Sequence, residues 1–251
     1  AAHGLTAVAL TDHDTVEGCE RMAAACAARQ LEFIPGTELT AEHEGHELHL
    51  LAYFIDSTHP PFLRELERFQ GVRQERIREI AARLNTLGVP LEAASVFSLA
   101  NCSAPGRPHV ARALVQHGHC SSLDEAFERF LKRNRPAWVP KVRMTAAAAI
   151  DLIHAAGGLA VLAHPGLNRL DAAIPALVAS GLDGLECFHS KHSTAASAHY
   201  AEMAAEHSLL VTGGSDCHGM NKGQPLIGGI KLPYACVRAM KQRLPAPRPG
   251  R

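Results

Sequence analysis

Apolar residues along this chain follow two patterns, short continuous runs and helically spaced sets, and the alternation between them predicts most of its elements. Thr6-Ala7-Val8-Ala9-Leu10 is a short apolar run of the kind that makes a buried parallel strand, and it stops at Thr11-Asp12-His13-Asp14-Thr15. Residues 16–30 are alanine-rich and predict a helix. Leu31-Glu32-Phe33-Ile34 predicts a second strand, closed by Pro35-Gly36-Thr37-Glu38, and residues 47–55 predict a third. After Pro60-Pro61 the apolar positions shift to Leu63, Leu66, Phe69, Ile77, Ile80, Leu84 and Leu87, a helical spacing that ends at Gly88. Pro108 opens another predicted helix through about Gln116, and Ser122-Leu123-Asp124-Glu125 has the form of a capping box.

The strand–helix rhythm then resumes. A helix over roughly 145–156 is stopped by Gly157-Gly158, and the strand Leu159-Ala160-Val161-Leu162-Ala163 ends in His164-Pro165. A helix near 171–180 leads to Asp183-Gly184-Leu185-Glu186-Cys187-Phe188 and then His189. A helix near 194–207 leads to Leu209-Leu210-Val211-Thr212 and Gly213-Gly214-Ser215-Asp216-Cys217-His218. The expected organisation is an α/β barrel in two parts, 1–59 and 143–243, around a mainly helical insertion at 60–142. The proline-rich tail 244–251 is expected to be disordered.

Five of the six strands end, within a residue or two, in a histidine or carboxylate: His13, Glu38, His164, His189 and the pair Asp216/His218. His49 lies inside its strand instead. A lone histidine at a strand end is more often a satisfied polar group than a ligand. In a parallel barrel, however, the carboxyl ends of all strands converge on one face, so these residues are expected to meet in one pocket. Imidazole and carboxylate without thiolate suit Zn²⁺, Mn²⁺ or Fe²⁺. A carboxylate can bridge two ions, an arrangement suited to phosphoryl transfer. Asp14 is expected to cap the following helix.

Composition narrows the partners. The chain has 16 histidines, of which His43, His46, His59, His117, His119, His199 and His207 fall in polar loops or on helices and read as mostly solvated. With 25 basic and 25 acidic residues, nothing demands duplex DNA or a membrane. The 7 cysteines contain no Cys-x-x-Cys pair, which argues against a disulfide framework or zinc ribbon and for a reducing cytoplasm. No apolar run approaches the roughly 20 residues of a membrane span, and no signal-peptide pattern opens the chain.

Thr-Asp-His-Asp-Thr at 11–15, Gly-Thr-Glu at 36–38, Ala-His-Pro at 163–165 and Ser-Asp-Cys-His at 215–218 resemble, in order, the motifs of the PHP (polymerase and histidinol phosphatase) superfamily. The resemblance implies a distorted (β/α)₇ TIM-like barrel holding up to three divalent ions, Mn²⁺, Zn²⁺, Fe²⁺ or Mg²⁺. It implies Glu38 as bridging carboxylate, with His49 and His164 completing one ion's shell. Asp216 would join Glu38 at a second ion, and His13 with His218 would hold a third. Of these, Asp216, His218 and His164 are the residues expected to carry catalysis.

The segments Arg107–Arg112 and Phe188–Ser193 resemble the subgroup of 3′,5′-nucleoside bisphosphate phosphatases and 5′-to-3′ exoribonucleases, which also carries a helical insertion. Arg107 and His109 begin a helix, a favourable place for phosphate. Together with Arg135 and His192 they are expected to contact substrate phosphates, although Arg135 and Lys141 read equally well as an exposed basic rim. His189 reads either as a ligand or as a phosphate contact. One departure stands out: the family's first strand ends in His-x-His followed by Asp, and nothing upstream of Thr11 matches it. The barrel is thus expected to lack its first strand, leaving the Glu38/His49/His164 ion with its complete protein set. The expected activity is hydrolysis of a nucleotide or short-RNA phosphate ester by metal-activated water. The alternatives are histidinol-phosphate hydrolysis, another metal-dependent hydrolase, or a non-catalytic PHP module.

Overall fold

The computed structural model describes residues 2–100, 102–219 and 225–245. The chain divides into two compact units, one comprising residues 1–63 and 143–251, the other Arg64–Val142. The first unit holds the sheet, whose strands are β1 (Ala7–Leu10), β2 (Glu32–His43), β3 (His46–Tyr53), β4 (Met144–Thr145), β5 (Leu159–Leu162), β6 (Gly184–His189) and β7 (Leu210–Gly214). The order is β1-β2-β3-β5-β6-β7, with β4 beside β2. The sheet curls into a half-barrel, as the strand–helix rhythm implied.

Two details depart from the expected all-parallel barrel. β3 runs antiparallel to both β2 and β5. Also, β2 continues through Pro35-Gly36-Thr37-Glu38 instead of closing there. The reason is a change of partner. Glu32–Pro35 pair in parallel with β1, and from Gly36 onward the strand pairs antiparallel with β3. Pro35 has no N–H to give a ladder, so it suits the junction.

Alternation along the strands sorts the two faces of the sheet. Ile34, Leu51, Tyr53, Leu159, Val161, Ala163 and Leu210 form one buried cluster with Met240 of the helix Tyr234–Arg243. The intervening residues Leu48, Leu50, Ala160 and Leu162 are buried too. Strands apolar on both faces are what a layered α/β unit requires.

The second unit has its own core. The helix that starts at Pro60 and runs to Thr86 supplies Ile77, Ile80 and Leu84, which pack with Val110 and Leu114 of the helix Arg107–Gln116 and with Leu131. Ser122 accepts the Glu125 N–H at 3.1 Å, as a capping residue does. The return half of the box is displaced by one residue, because Glu125 accepts the N–H of Ser121 at 2.7 Å. The helices Ala93–Ala100 and Tyr234–Arg243 were not anticipated. The expected disordered tail lies, from residue 246 onward, outside the described residues. Among the described residues, no helix is long and apolar enough to cross a membrane.

One ion pair on this scaffold makes stability depend on pH. His154 Nε2 lies 2.8 Å from Asp183 Oδ2, which also accepts the N–H of Ala160 at the start of β5. The hydrogen bond to Asp183 raises the His154 pKa above its usual 6.5. The pair's stabilisation is therefore complete below about 6.5 and is lost as pH rises through the raised value. The imidazole is 38% exposed, so solvent screening keeps the effect below about 1 kcal/mol. His154→Ala should lower the thermal midpoint by about 1–3 °C more at pH 5.5 than at pH 8.5. Equal losses at both pH values would remove the charged pair from the account.

Candidate metal centre

Strand register builds the centre. Glu38 lies opposite Leu51 and Thr40 opposite His49 across the β2–β3 ladder, so Glu38 and His49 share a face one step apart. The Ala163 N–H donates to the His49 carbonyl at 3.0 Å, which extends the β3–β5 pairing up to His164. The same face is apolar lower down, and Glu38 and His164 line a cavity of about 610 Å³ together with Asp12, His13, Glu186, Asp216 and His218.

Backbone pairing brings His13 alongside. The Glu38 N–H donates to the Asp12 carbonyl and the Asp14 N–H to the Glu38 carbonyl, both at 3.0 Å, a bridge that sets His13 next to Glu38. Side chains lock this arrangement. The Thr37 hydroxyl donates to the Asp12 carbonyl at 2.8 Å and accepts the Thr15 N–H. The buried Asp14 carboxylate accepts the Thr40 N–H at 2.9 Å and the Thr40 hydroxyl at 3.2 Å. Asp14 therefore does not cap the next helix, whose N-cap is Gly18. Its acceptors are used on β2.

Glu38 is the hub. Its Oε1 meets His49 Nδ1 at 2.7 Å and His164 Nε2 at 3.1 Å, while Oε2 faces His13 Nδ1 at 3.4 Å. His49 Nδ1 and His164 Nε2 are 3.3 Å apart. Burial alone would push this carboxyl up, but the hydrogen bonds from His164 and His49 and the charge of His13 hold it well below the usual carboxylate range. It stays an anion, with two histidines on Oε1 and the third facing Oε2. His13, Glu38 and His49 offer ligand atoms within 4.8 Å of one another, and His164 Nδ1 is buried with no hydrogen-bond partner among the described residues. Nitrogen and carboxylate donors gathered this closely fit a divalent ion.

The next strands add two further histidines with opposite proton placements. His218 Nδ1 lies 2.8 Å from the Asp216 carbonyl, which can only accept, so in the neutral ring this nitrogen carries the proton and Nε2 keeps its lone pair for a ligand. His189, at the end of β6, is the reverse. Its Nδ1 accepts the Lys191 N–H at 3.1 Å, so the neutral ring carries its proton on Nε2. That nitrogen is buried, has no hydrogen-bond partner among the described residues and lies 3.9 Å from Asp216 Oδ2. Burial, reinforced by the charge of His164, lowers the His189 pKa to about 4, which keeps the ring neutral.

No protein-family model matches the sequence. Curated proteins do. The chain is 36% identical over 224 residues to the 5′-3′ exoribonuclease Rnm of Escherichia coli, covering 84% of this chain and 74% of that protein. It is 32% identical over 247 residues to the 3′,5′-nucleoside bisphosphate phosphatase of Chromobacterium violaceum, covering 94% and 85%. Among solved structures, a metal-dependent phosphoesterase from Bifidobacterium adolescentis superposes with a TM-score of 0.85 at 31% identity, over 96% of this chain and 86% of that one. The chain belongs to the PHP family of metal-dependent phosphoesterases.

Within this PHP fold the anticipated residues separate into groups. His13, Glu38, His49 and His164 meet around one carboxylate. Asp216 and His218 line the same cavity, with the His218 ring centroid 6.2 Å from that of His13. His192 differs from its expected role in phosphate contact. Its Nδ1 donates to the Cys187 carbonyl at 2.9 Å and its Nε2 accepts the Gly166 N–H at 3.3 Å, so both ring nitrogens are spent on the main chain. Arg107, His109 and Arg135 belong to the second unit. There Arg107 donates to the Leu131 carbonyl at 3.1 Å, His109 Nδ1 accepts the Gly106 N–H at 3.0 Å, and Arg135 pairs with Glu128 at 3.4 Å.

Sequence reasoning missed Glu186. It is 4% exposed, lines the cavity, and accepts the His164 N–H on Oε2 at 2.9 Å. Burial, with the charges of Glu38 and Asp216, pushes its carboxyl up to about 8 despite that hydrogen bond. The available signal was parity: Glu186 is the inward position between Gly184 and the strand end.

Proposed function

We propose that this PHP phosphoesterase removes phosphate from a nucleotide or a short RNA end, with a 3′,5′-nucleoside bisphosphate-type molecule as its substrate. The carrying observation is likeness, over most of the chain, to enzymes named for nucleoside bisphosphates and for 5′-3′ RNA degradation. His13, Glu38, His49, His164, Asp216 and His218 are the residues that would hold divalent ions. A bound ion supplies Lewis-acid charge at the phosphoryl group and lowers the pKa of water. Glu38 keeps its negative charge while buried, and the neutral tautomer of His218 presents the lone pair of Nε2. The neutral His189 holds a proton on Nε2 with no acceptor among the described residues, which suits a hydrogen bond to a phosphoryl oxygen. Arg107, His109 and Arg135 remain proposed phosphate contacts on the strength of the sequence.

The test is phosphate release, with Mn²⁺ or Zn²⁺ supplied, from adenosine 3′,5′-bisphosphate, adenosine monophosphates, 5′-phosphorylated RNA oligonucleotides and histidinol phosphate. Turnover of the bisphosphate or of RNA ends, well above histidinol phosphate, is expected. Metal-loaded protein that releases phosphate from neither nucleotide class would overturn the reading.

His189→Ala separates the two roles left open for that residue. If it is a hydrogen-bond donor to the phosphoryl group, the loss should cost about 10²-fold in kcat while bound metal stays at the wild-type level. Loss of metal along with activity would make it a ligand instead.

A further inference from the structure

Glu186 is a buried acid placed among acids. The carboxylates of Glu38 and Asp216 both act on it, and among the described residues no basic side chain pairs with it. An apolar residue in the middle of β6 would avoid that cost, because burying a carboxyl without a cationic partner is unfavourable. What the carboxyl does is specific. β6 lies between β5 and β7, and Glu186 reaches towards the ends of both neighbours.

On one side, Oε2 accepts the His164 N–H at 2.9 Å. His164 has left β5 and stands at φ 33°, ψ 52°, a left-handed conformation that costs a non-glycine residue about 1 kcal/mol or more. Its amide thereby loses any ladder partner and would be an unsatisfied donor without Glu186. On the other side, Oε1 lies 2.8 Å from where a side chain on Gly214 would begin. Gly214 is thus the residue that leaves the carboxyl room. The β6–β7 register shifts directly after Glu186, between it and Phe188.

We propose that Glu186 is a positioning residue: by accepting the His164 amide it holds that residue in its left-handed turn, so that the imidazole Nε2 points at Glu38. The inference rests on the reading of His164 as a metal ligand. In this proposal Glu186 acts through His164 and not as a ligand, and its required property is a fixed acceptor oxygen, which a glutamine also has.

The test uses Glu186→Gln and Glu186→Ala in the full chain, with Mn²⁺ affinity and the hydrogen exchange rate of the His164 amide in metal-free protein as readouts. Glu186→Gln should keep Mn²⁺ affinity within about threefold and leave the amide protected. Glu186→Ala should weaken Mn²⁺ binding by about 10–100-fold, the usual cost of losing a group that orients a ligand. It should also speed His164 exchange at least about tenfold, with the far-ultraviolet dichroism unchanged. Equal loss of affinity in both variants would make Glu186 a ligand, and unchanged affinity in both would make it a bystander. Either result overturns the proposal. His164→Ala is the control for the underlying reading. If it leaves Mn²⁺ affinity intact, the ligand assignment fails, and the exchange rates alone then decide whether Glu186 holds the turn.

Discussion

Glu38→Ala is expected to empty the centre of metal and to lower kcat/KM by roughly 10³-fold or more, on the order of 4 kcal/mol of transition-state stabilisation. Three histidines converge on this carboxylate, two on Oε1 and one on Oε2. Removing it leaves imidazoles with no shared anion, while the negative charge that would balance a divalent ion is gone. The backbone should survive, because the bonds fixing Asp12–Asp14 to this strand use the Glu38 amide and carbonyl. Glu38→Gln should fail nearly as badly, since it keeps the shape and loses the charge. Elemental analysis of purified protein, with dichroism to verify folding, checks both. Wild-type metal content in a folded Glu38→Ala protein would displace Glu38 from the hub.

The β/α rhythm and the strand ends were legible because burial imposes periodicity and polar residues interrupt it. That was enough to bring His13, Glu38, His164 and Asp216 together before any coordinates. Strand direction was not legible, since an apolar run reads the same for β3 in either orientation. Roles that depend on remote backbone were hidden for the same physical reason. Nothing local tells that Asp14 will meet Thr40 rather than cap a helix, or that His192 will meet Gly166. Glu186 illustrates a third limit. Alternation predicts which face a residue occupies but treats a polar residue in a strand as solvent-facing, so an acid turned inward was passed over.

Gly36→Ala is expected to destabilise the fold by about 3 kcal/mol or more, and so to lower the thermal midpoint by roughly 6–12 °C. The Gly-Thr-Glu segment needs glycine because β2 changes partners there. A methyl group on Gly36 would press on the Ala52 carbonyl oxygen across the β3 ladder, and it would also lie 3.1 Å from the Leu10 carbonyl of β1 and 3.0 Å from Thr11 Cγ2. A backbone oxygen held in a sheet cannot swing aside as a side-chain tip can, so the strands must separate. Glu38 is two residues along on the same face, and metal affinity should fall with stability. Gly71→Ala provides the contrast. That glycine is exposed within the helix Pro60–Thr86, and a methyl there would meet none of the described residues within 4 Å. It should be neutral or stabilising by about 0.5–1 kcal/mol, the ordinary helix gain of alanine over glycine. Similar midpoints for the two variants would mean that the sheet relaxes around Gly36 at little cost. The glycine in the motif would then owe its place to something other than the close approach of β1 and β3.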